Sequence, residues 1–276
     1  MDVLTEPFSQ AIMQRALLEI VILGAVGGAL GCWIVLSELS YGAESLAHGM
    51  FPGLVAASLI GVPLALGGAV GIVVAALAVA LAARIPGIGR DNGVAVVVTS
   101  LFGLGALLAL APDVPAGIQG LLFGDILGTT EGDLLLGAAL AAVVLAALWL
   151  LHWRLLAVGF DRTSARSVGA SPLLADAALL VLLAIAVLVA VQGLGNLLVV
   201  AVLVAPAAAA RLLTRRLGPM MALSFAIAVL AGVAGLYLSY YAKVAAGASV
   251  AGLMVAAYLL ARGGVLLGRA FTPGVH

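Results

Sequence analysis

Long apolar runs, broken at intervals close to one bilayer's worth of helix, dominate the chain. Bounded by charge or by Gly and Pro, they fall near residues 17–36, 45–60, 65–83, 92–111, 132–152, 174–192, 196–213, 220–241 and 246–266. Roughly twenty residues of helix cross a bilayer, so each run is a candidate span. The runs do not alternate apolar with polar positions, which disfavours a transmembrane β-barrel. The pattern predicts an all-α, polytopic membrane protein with about eight or nine transmembrane helices. The first run has no basic residue ahead of Arg15 and no small-residue cleavage site, so it reads as a retained helix and not a signal peptide. The stretch 112–130 mixes Pro, Gly and Asp with an apolar patch at 118–123 and predicts a loop holding a short helix or a re-entrant piece.

Composition closes off other classes. Of 276 residues, 65% are apolar and 9% charged, with a mean hydropathy of +1.31, far from a soluble domain with about 25% charge. Residues 1–276 therefore read as one transmembrane domain. Basic and acidic residues balance at 12 each, which gives no footprint for nucleic acid. The single cysteine, Cys32, excludes an intrachain disulfide and reads as a small packing residue. The lone lysine, Lys243, lies in Tyr-Ala-Lys-Val, so the chain holds no Walker-type phosphate loop. If transport is driven by ATP, a separate subunit must hydrolyse it. Arginines cluster at Arg84 and Arg90, at Arg154, Arg162 and Arg166, at Arg211, Arg215 and Arg216, and at Arg262 and Arg269. Even numbers of spans separate neighbouring clusters, so the positive-inside rule places all four in the cytoplasm and the N-terminus outside. Small-xxx-small pairs at Gly24/Gly28, Gly27/Gly31 and Gly67/Gly71 predict close helix crossings.

An ionisable side chain at bilayer depth costs about 2.5–3.5 kcal/mol on insertion scales and so calls for a partner, a wet cavity or a function. Glu44 and His48 lie four apart, which on a helix stacks them on one face. A carboxylate with an imidazole suits a divalent first-row metal such as Zn²⁺ or Mn²⁺, and two copies of the helix about a twofold axis would supply four ligands. A Glu–His hydrogen bond at a helix start, with Ser45 as a cap, accounts for the same spacing. Asp91 and Asn92 precede an apolar run and fit a helix cap. Asp125 fits a solvated loop or a water-filled path. His152 reads as an interfacial residue between Trp149 and Trp153, Asp176 as a solvated residue near the inner interface, and His276 as a disordered terminus. The polar segment 160–172, from Phe160-Asp161 through Ala165 to Gly169, predicts a cytoplasmic surface helix suited to docking a partner ATPase. Pro206 predicts a kink in a late span.

Taken in order, these segments resemble the permease subunits of zinc/manganese ABC importers, which work with cluster A-1 type metal-binding proteins. The likeness runs from about Leu17 to Gly263. The family's small-residue helix, then an acidic residue, Ser/Ala, two positions and His followed by Leu-Pro-Gly, is similar to Glu44-Ser45-Leu46-Ala47-His48-Gly49-Met50-Phe51-Pro52-Gly53. Its other motifs are similar to Asp91 before Gly93-Val94, to Leu122-Phe123-Gly124-Asp125-Ile126-Leu127, to Phe160-Asp161 through Gly169, and to Val204-Ala205-Pro206-Ala207-Ala208. The resemblance implies a homodimeric permease of the inner membrane with no enzymatic activity of its own, ATPase subunits docked on the coupling segment, and an external metal-binding protein. It also implies transported Zn²⁺ first and Mn²⁺ next, with Glu44 and His48 as metal contacts, Asp91 and Asp125 along the pathway, and Pro52, Gly53 and Pro206 as structural residues. One departure is that the family's acid is commonly aspartate after glycine, whereas Glu44 follows Ala43 and is one methylene longer. A permease for a metal chelate, or a secondary transporter without an ATPase, are the alternatives.

Overall fold

Each apolar run corresponds to an α-helix of the computed structural model, which describes residues 6–82, 90–111 and 124–271, although the runs 92–111 and 196–213 extend a few residues past their helices. Among the described residues there are nine α-helices and no strand. They are α1 (Ala11–Leu36), α2 (Ser40–Ile60), α3 (Leu64–Ala82), α4 (Arg90–Leu108), α5 (Glu131–Phe160), α6 (Pro172–Leu194), α7 (Val199–Leu213), α8 (Leu217–Ala242) and α9 (Ala246–Phe271). Five of them, α1, α5, α6, α8 and α9, are long and apolar enough to cross a membrane, while α3, α4 and α7 carry shorter apolar stretches.

The helices pack through their glycines. α1 is the most enclosed of the long apolar helices, and two of its faces are notched. Gly24 and Gly28 lie against Ala228, Val229 and Phe225 of α8, and a Cβ on Gly28 would come within 3.0 Å of Phe225. Gly27 and Gly31 lie against the backbone of α7, where the Val202 and Leu203 carbonyls meet α1. Pro206 has no N–H to return to the carbonyl four residues earlier, that of Val202. That freed oxygen faces Gly27, and α7 continues through the proline as one helix. Without side chains in the way, backbones approach and dispersion replaces the hydrophobic force that lipid cannot supply.

The same device fixes α2. Gly67 and Gly71 of α3 sit on the backbone of Gly53 and Met50, and Gly49 faces Ala75. Gly105 of α4 sits on Phe51 and Pro52. The turns of α2 around Pro52 and Gly53 are thus held on two sides by helices that touch backbone to backbone. Met50, Phe51 and Leu54 are fully enclosed by this packing.

Two of the three short 3-10 turns among the described residues adjoin α5. Ile126–Gly128 lies before α5 and Ser164–Val168 between α5 and α6. The second ends on Gly169 at φ 77, a left-handed cap that glycine takes without steric cost. The expected surface helix is therefore one tight 3-10 turn, closed by Asp161 at its start and Gly169 at its end. Leu122, Phe123, Arg84 and His276 lie outside the described residues.

Candidate functional site

α2 begins at Ser40, close to the end of α1 where Trp33 meets His152 of α5 at 5.9 Å between ring centroids. This is the end of the bundle that carries the arginine-rich loops. Glu44 and His48 therefore occupy the half of α2 nearer those loops. Their side chains face the same way, with His48 Nε2 at 3.9 Å from Glu44 Oε1. Exposures are 21% for the imidazole and 51% for the carboxylate, so the pair opens at the surface of the chain. Nδ1 of His48 is buried and meets no hydrogen-bonding group among the described residues. The ring packs on Phe102 of α4, with centroids 4.9 Å apart.

Ser45 does not cap this helix. Its hydroxyl donates to the Tyr41 carbonyl at 2.8 Å, one turn back inside α2. The residue entering the helix is Leu39, which follows Glu38 at a positive φ of 58. Pro52 lies four residues beyond His48 and has no N–H for the His48 carbonyl. The backbone hydrogen-bond ladder of α2 is thus interrupted just beyond the pair.

Asp91 and Asn92 lie inside the first turn of α4, not ahead of it, so they do not occupy a cap position. Their side chains lie outside the described residues. Asp125 belongs to a different part of the molecule. It caps the 3-10 turn Ile126–Gly128 by accepting the Gly128 N–H at 3.1 Å. It lines a cavity of about 440 Å³ together with Glu19, Thr129 and Asp133, at the end of the bundle opposite the arginine-rich loops. Asp125 and the Glu44/His48 pair are not brought together.

That cavity contains the residue missed by sequence reasoning. Glu19 of α1 is 7% exposed, accepts a hydrogen bond from the Thr129 hydroxyl and rests on Gly193 of α6, where any Cβ would collide with its carboxylate. Gly124, at φ 74, lays the start of the same turn directly on the backbone of residues 193–195. Ile126, at 1% exposure, plugs the turn into the core. Among the described residues no cluster of three or more His, Cys, Asp or Glu has metal-holding geometry.

The 160–172 segment protrudes from the arginine-rich end. Phe160 is 96% exposed. Asp161 accepts from the Ser164 hydroxyl and from the Thr163 N–H, the latter at 2.8 Å. These hydrogen bonds, the Ser164 hydroxyl first, hold its carboxyl below the usual aspartate range. Ala165 is buried and Gly169 ends the turn. Asp176 is not a free solvated residue: it receives Arg162 in an ion pair at 2.5 Å, which ties the segment to the first turns of α6. His152 lies edge-on to Trp33 and to Trp153, at 5.9 and 5.6 Å. Cys32 is buried and donates to the Gly28 carbonyl at 3.0 Å, as a packing residue does.

Residues 9–263 match the family model described as ABC 3 transport family. The chain is similar to the chelated iron transport system membrane protein YfeC of Yersinia pestis, 32% identical over 94% of this chain and 88% of that one. It is similar to the manganese transport system membrane protein MntC of Halalkalibacterium halodurans, 31% identical over 92% of this chain and 86% of that one. Among solved structures, PsaBC from Streptococcus pneumoniae in complex with Fab superposes with a TM-score of 0.85 at 28% identity, covering 91% of each chain.

Proposed function

Because this chain belongs to the ABC 3 transport family, a multi-pass membrane permease whose ATP is hydrolysed on a separate subunit, we propose that it carries a divalent first-row metal ion through Glu44 and His48 into the cytoplasm. The observation that carries this reading is the carboxylate–imidazole pair itself, 3.9 Å apart and open at the surface of α2. Two ligands are too few for a stable site. A second copy placed against that open face would complete two carboxylates and two imidazoles, with charges that balance one M²⁺. Such a site, shared between protomers, comes apart when they move, and a transport site must bind firmly enough to load and weakly enough to release.

In this reading the nine helices cross the membrane with the N-terminus outside. The exposed Phe160, the Asp161 turn, Ala165 and Gly169 form the face on which ATPase subunits dock. An external metal-binding protein delivers the ion from the opposite side. Ligand softness alone favours Zn²⁺. The names of the relatives speak for manganese and iron, and the glutamate oxygen suits both. We therefore rank Mn²⁺ and Fe²⁺ ahead of zinc for this chain.

The test is uptake in cells or proteoliposomes containing the permease with its ATPase. Glu44→Ala and His48→Ala should each abolish metal accumulation while the ATPase still co-purifies. Unchanged accumulation in both variants rejects the site. Uptake that persists with no ATPase present rejects ATP drive and favours a secondary transporter. Uptake only when iron is presented as a complex favours the chelate reading.

A further inference from the structure

A metal-binding imidazole ordinarily donates its second ring N–H to a carboxylate, a carbonyl or a water. That partner orients the ring and raises its basicity, and losing it costs about 10–100-fold in metal affinity. His48 is built otherwise. Nε2 is the nitrogen on the Glu44 side, at 3.9 Å. Nδ1 is buried without a hydrogen-bonding partner among the described residues. When a cation sits on Nε2, the proton of the neutral ring must reside on Nδ1, where no described residue accepts it.

Ring packing orients His48 where a hydrogen bond ordinarily would. Phe102 lies 4.9 Å from the imidazole, tilted by 56°, and 5.5 Å from Phe51. His48 and Phe51 are three residues apart on α2, so one phenyl ring is wedged across a single helical turn. Phe51 is fully buried and cannot yield. Gly105, one turn along α4 from Phe102, has no side chain to hold the helices apart, and a Cβ there would strike Phe51 and Pro52. The position of Phe102 is thus set by backbone approach as well as by its own packing.

We propose that Phe102 is a positioning residue for transport: it holds His48 with Nε2 toward Glu44 while giving Nδ1 no acceptor, so that the cation is bound weakly enough to leave. This rests on the reading of Glu44 and His48 as the transport site. It assigns to an apolar residue on a neighbouring helix the setting of the site's affinity.

The experiment uses the full permease with its ATPase. Co²⁺ is the binding probe, read by its visible absorption, and Mn²⁺ uptake into proteoliposomes gives KM and Vmax. Phe102→Gln places an acceptor near the ring. Co²⁺ should then bind about ten-fold tighter or more, with KM and Vmax for Mn²⁺ falling together as release slows. Phe102→Leu removes the ring without adding an acceptor, and should weaken Co²⁺ binding and raise KM. If Phe102→Gln leaves Co²⁺ affinity, KM and Vmax unchanged while His48→Ala abolishes the Co²⁺ spectrum, the role of Phe102 is refuted and the site stands. If His48→Ala leaves the spectrum intact, the site itself is refuted. Should Phe102→Gln fail to assemble, ¹⁵N-histidine NMR of Zn²⁺-loaded protein carrying His152→Gln and His276→Gln reports His48 alone. A Nδ1–H free of hydrogen bonding supports the proposal, and a hydrogen-bonded one overturns it.

Discussion

Thr129→Val is the sharpest test of the packing around Glu19. Valine keeps the branched shape and removes only the hydroxyl that donates to the Glu19 carboxylate. Thr129 and Glu19 are 9% and 7% exposed, so a replacement for that bond can come only from water in the cavity they line. The Thr129 hydroxyl also lies 3.0 Å from the Ile126 carbonyl, so the substitution loosens the turn as well as the carboxylate. Leaving a buried polar group short of a partner costs about 1–3 kcal/mol, and more where the group is charged. That corresponds to roughly a 5- to 150-fold rise in the fraction of molecules with residues 124–130 detached. Hydrogen exchange of the amides in that segment, in detergent-solubilised protein, reads this directly. The double variant Glu19→Met with Thr129→Val removes both partners and should recover most of the lost protection, because paired removal is close to neutral. Unchanged exchange in the single variant, or no recovery in the double, refutes the view that Glu19 and Thr129 act as a coupled pair.

Gly193→Ala drives a methyl into the Glu19 carboxylate and should lower thermal stability by about 1–3 kcal/mol, the usual range for overpacking, with Glu19→Ala added in cis restoring part of it. Gly31→Ala forces α1 away from the Leu203 carbonyl and should be similarly destabilising, whereas Gly263→Ala, which meets open space, should leave the melting temperature in place. Asp176→Asn breaks the Arg162 pair; since exposed pairs contribute about 0–1 kcal/mol, stability should barely move while the ratio of metal imported to ATP hydrolysed falls. The Asp161 carboxyl is held below its ordinary range, so its support for the coupling turn is complete above the ordinary aspartate pKa and is lost only as pH falls through the lowered value; amide exchange at residues 163–165 should be flat through neutral pH and rise only in strong acid.

Much of this was legible because it is local. Glu44 and His48 are four apart, and helical geometry alone predicts that they share a face. The pairs Gly24/Gly28, Gly27/Gly31 and Gly67/Gly71 each mark a crossing, since a missing side chain at that spacing leaves one continuous groove. Gly169 marks the end of a turn because a left-handed cap favours glycine. Glu19 was not legible: it stands alone in an apolar run, and its donor lies 110 residues away. Nothing in its own helix announces the partner. Asp176 is illegible for a similar reason, because Arg162 lies across a turn whose course the sequence does not fix. Ser45 lies inside the helix and does not cap it because α2 starts a turn earlier than the apolar pattern, at Ser40.

Pro52 has a consequence for motion. Gly53 and Gly67 fasten α2 to α3 just beyond the proline, and Gly71 and Gly49 do so just before it, at Met50 and Ala75, while the missing bond to the His48 carbonyl marks the point where the helix flexes most easily. Glu44 and His48 both lie on the N-terminal side of that point. Any flexing of the rod would swing carboxylate and imidazole as one unit, their mutual spacing preserved and their shared address in the membrane changed. A carrier that must offer the same grip to two compartments in turn gains from moving the hand without opening the fingers.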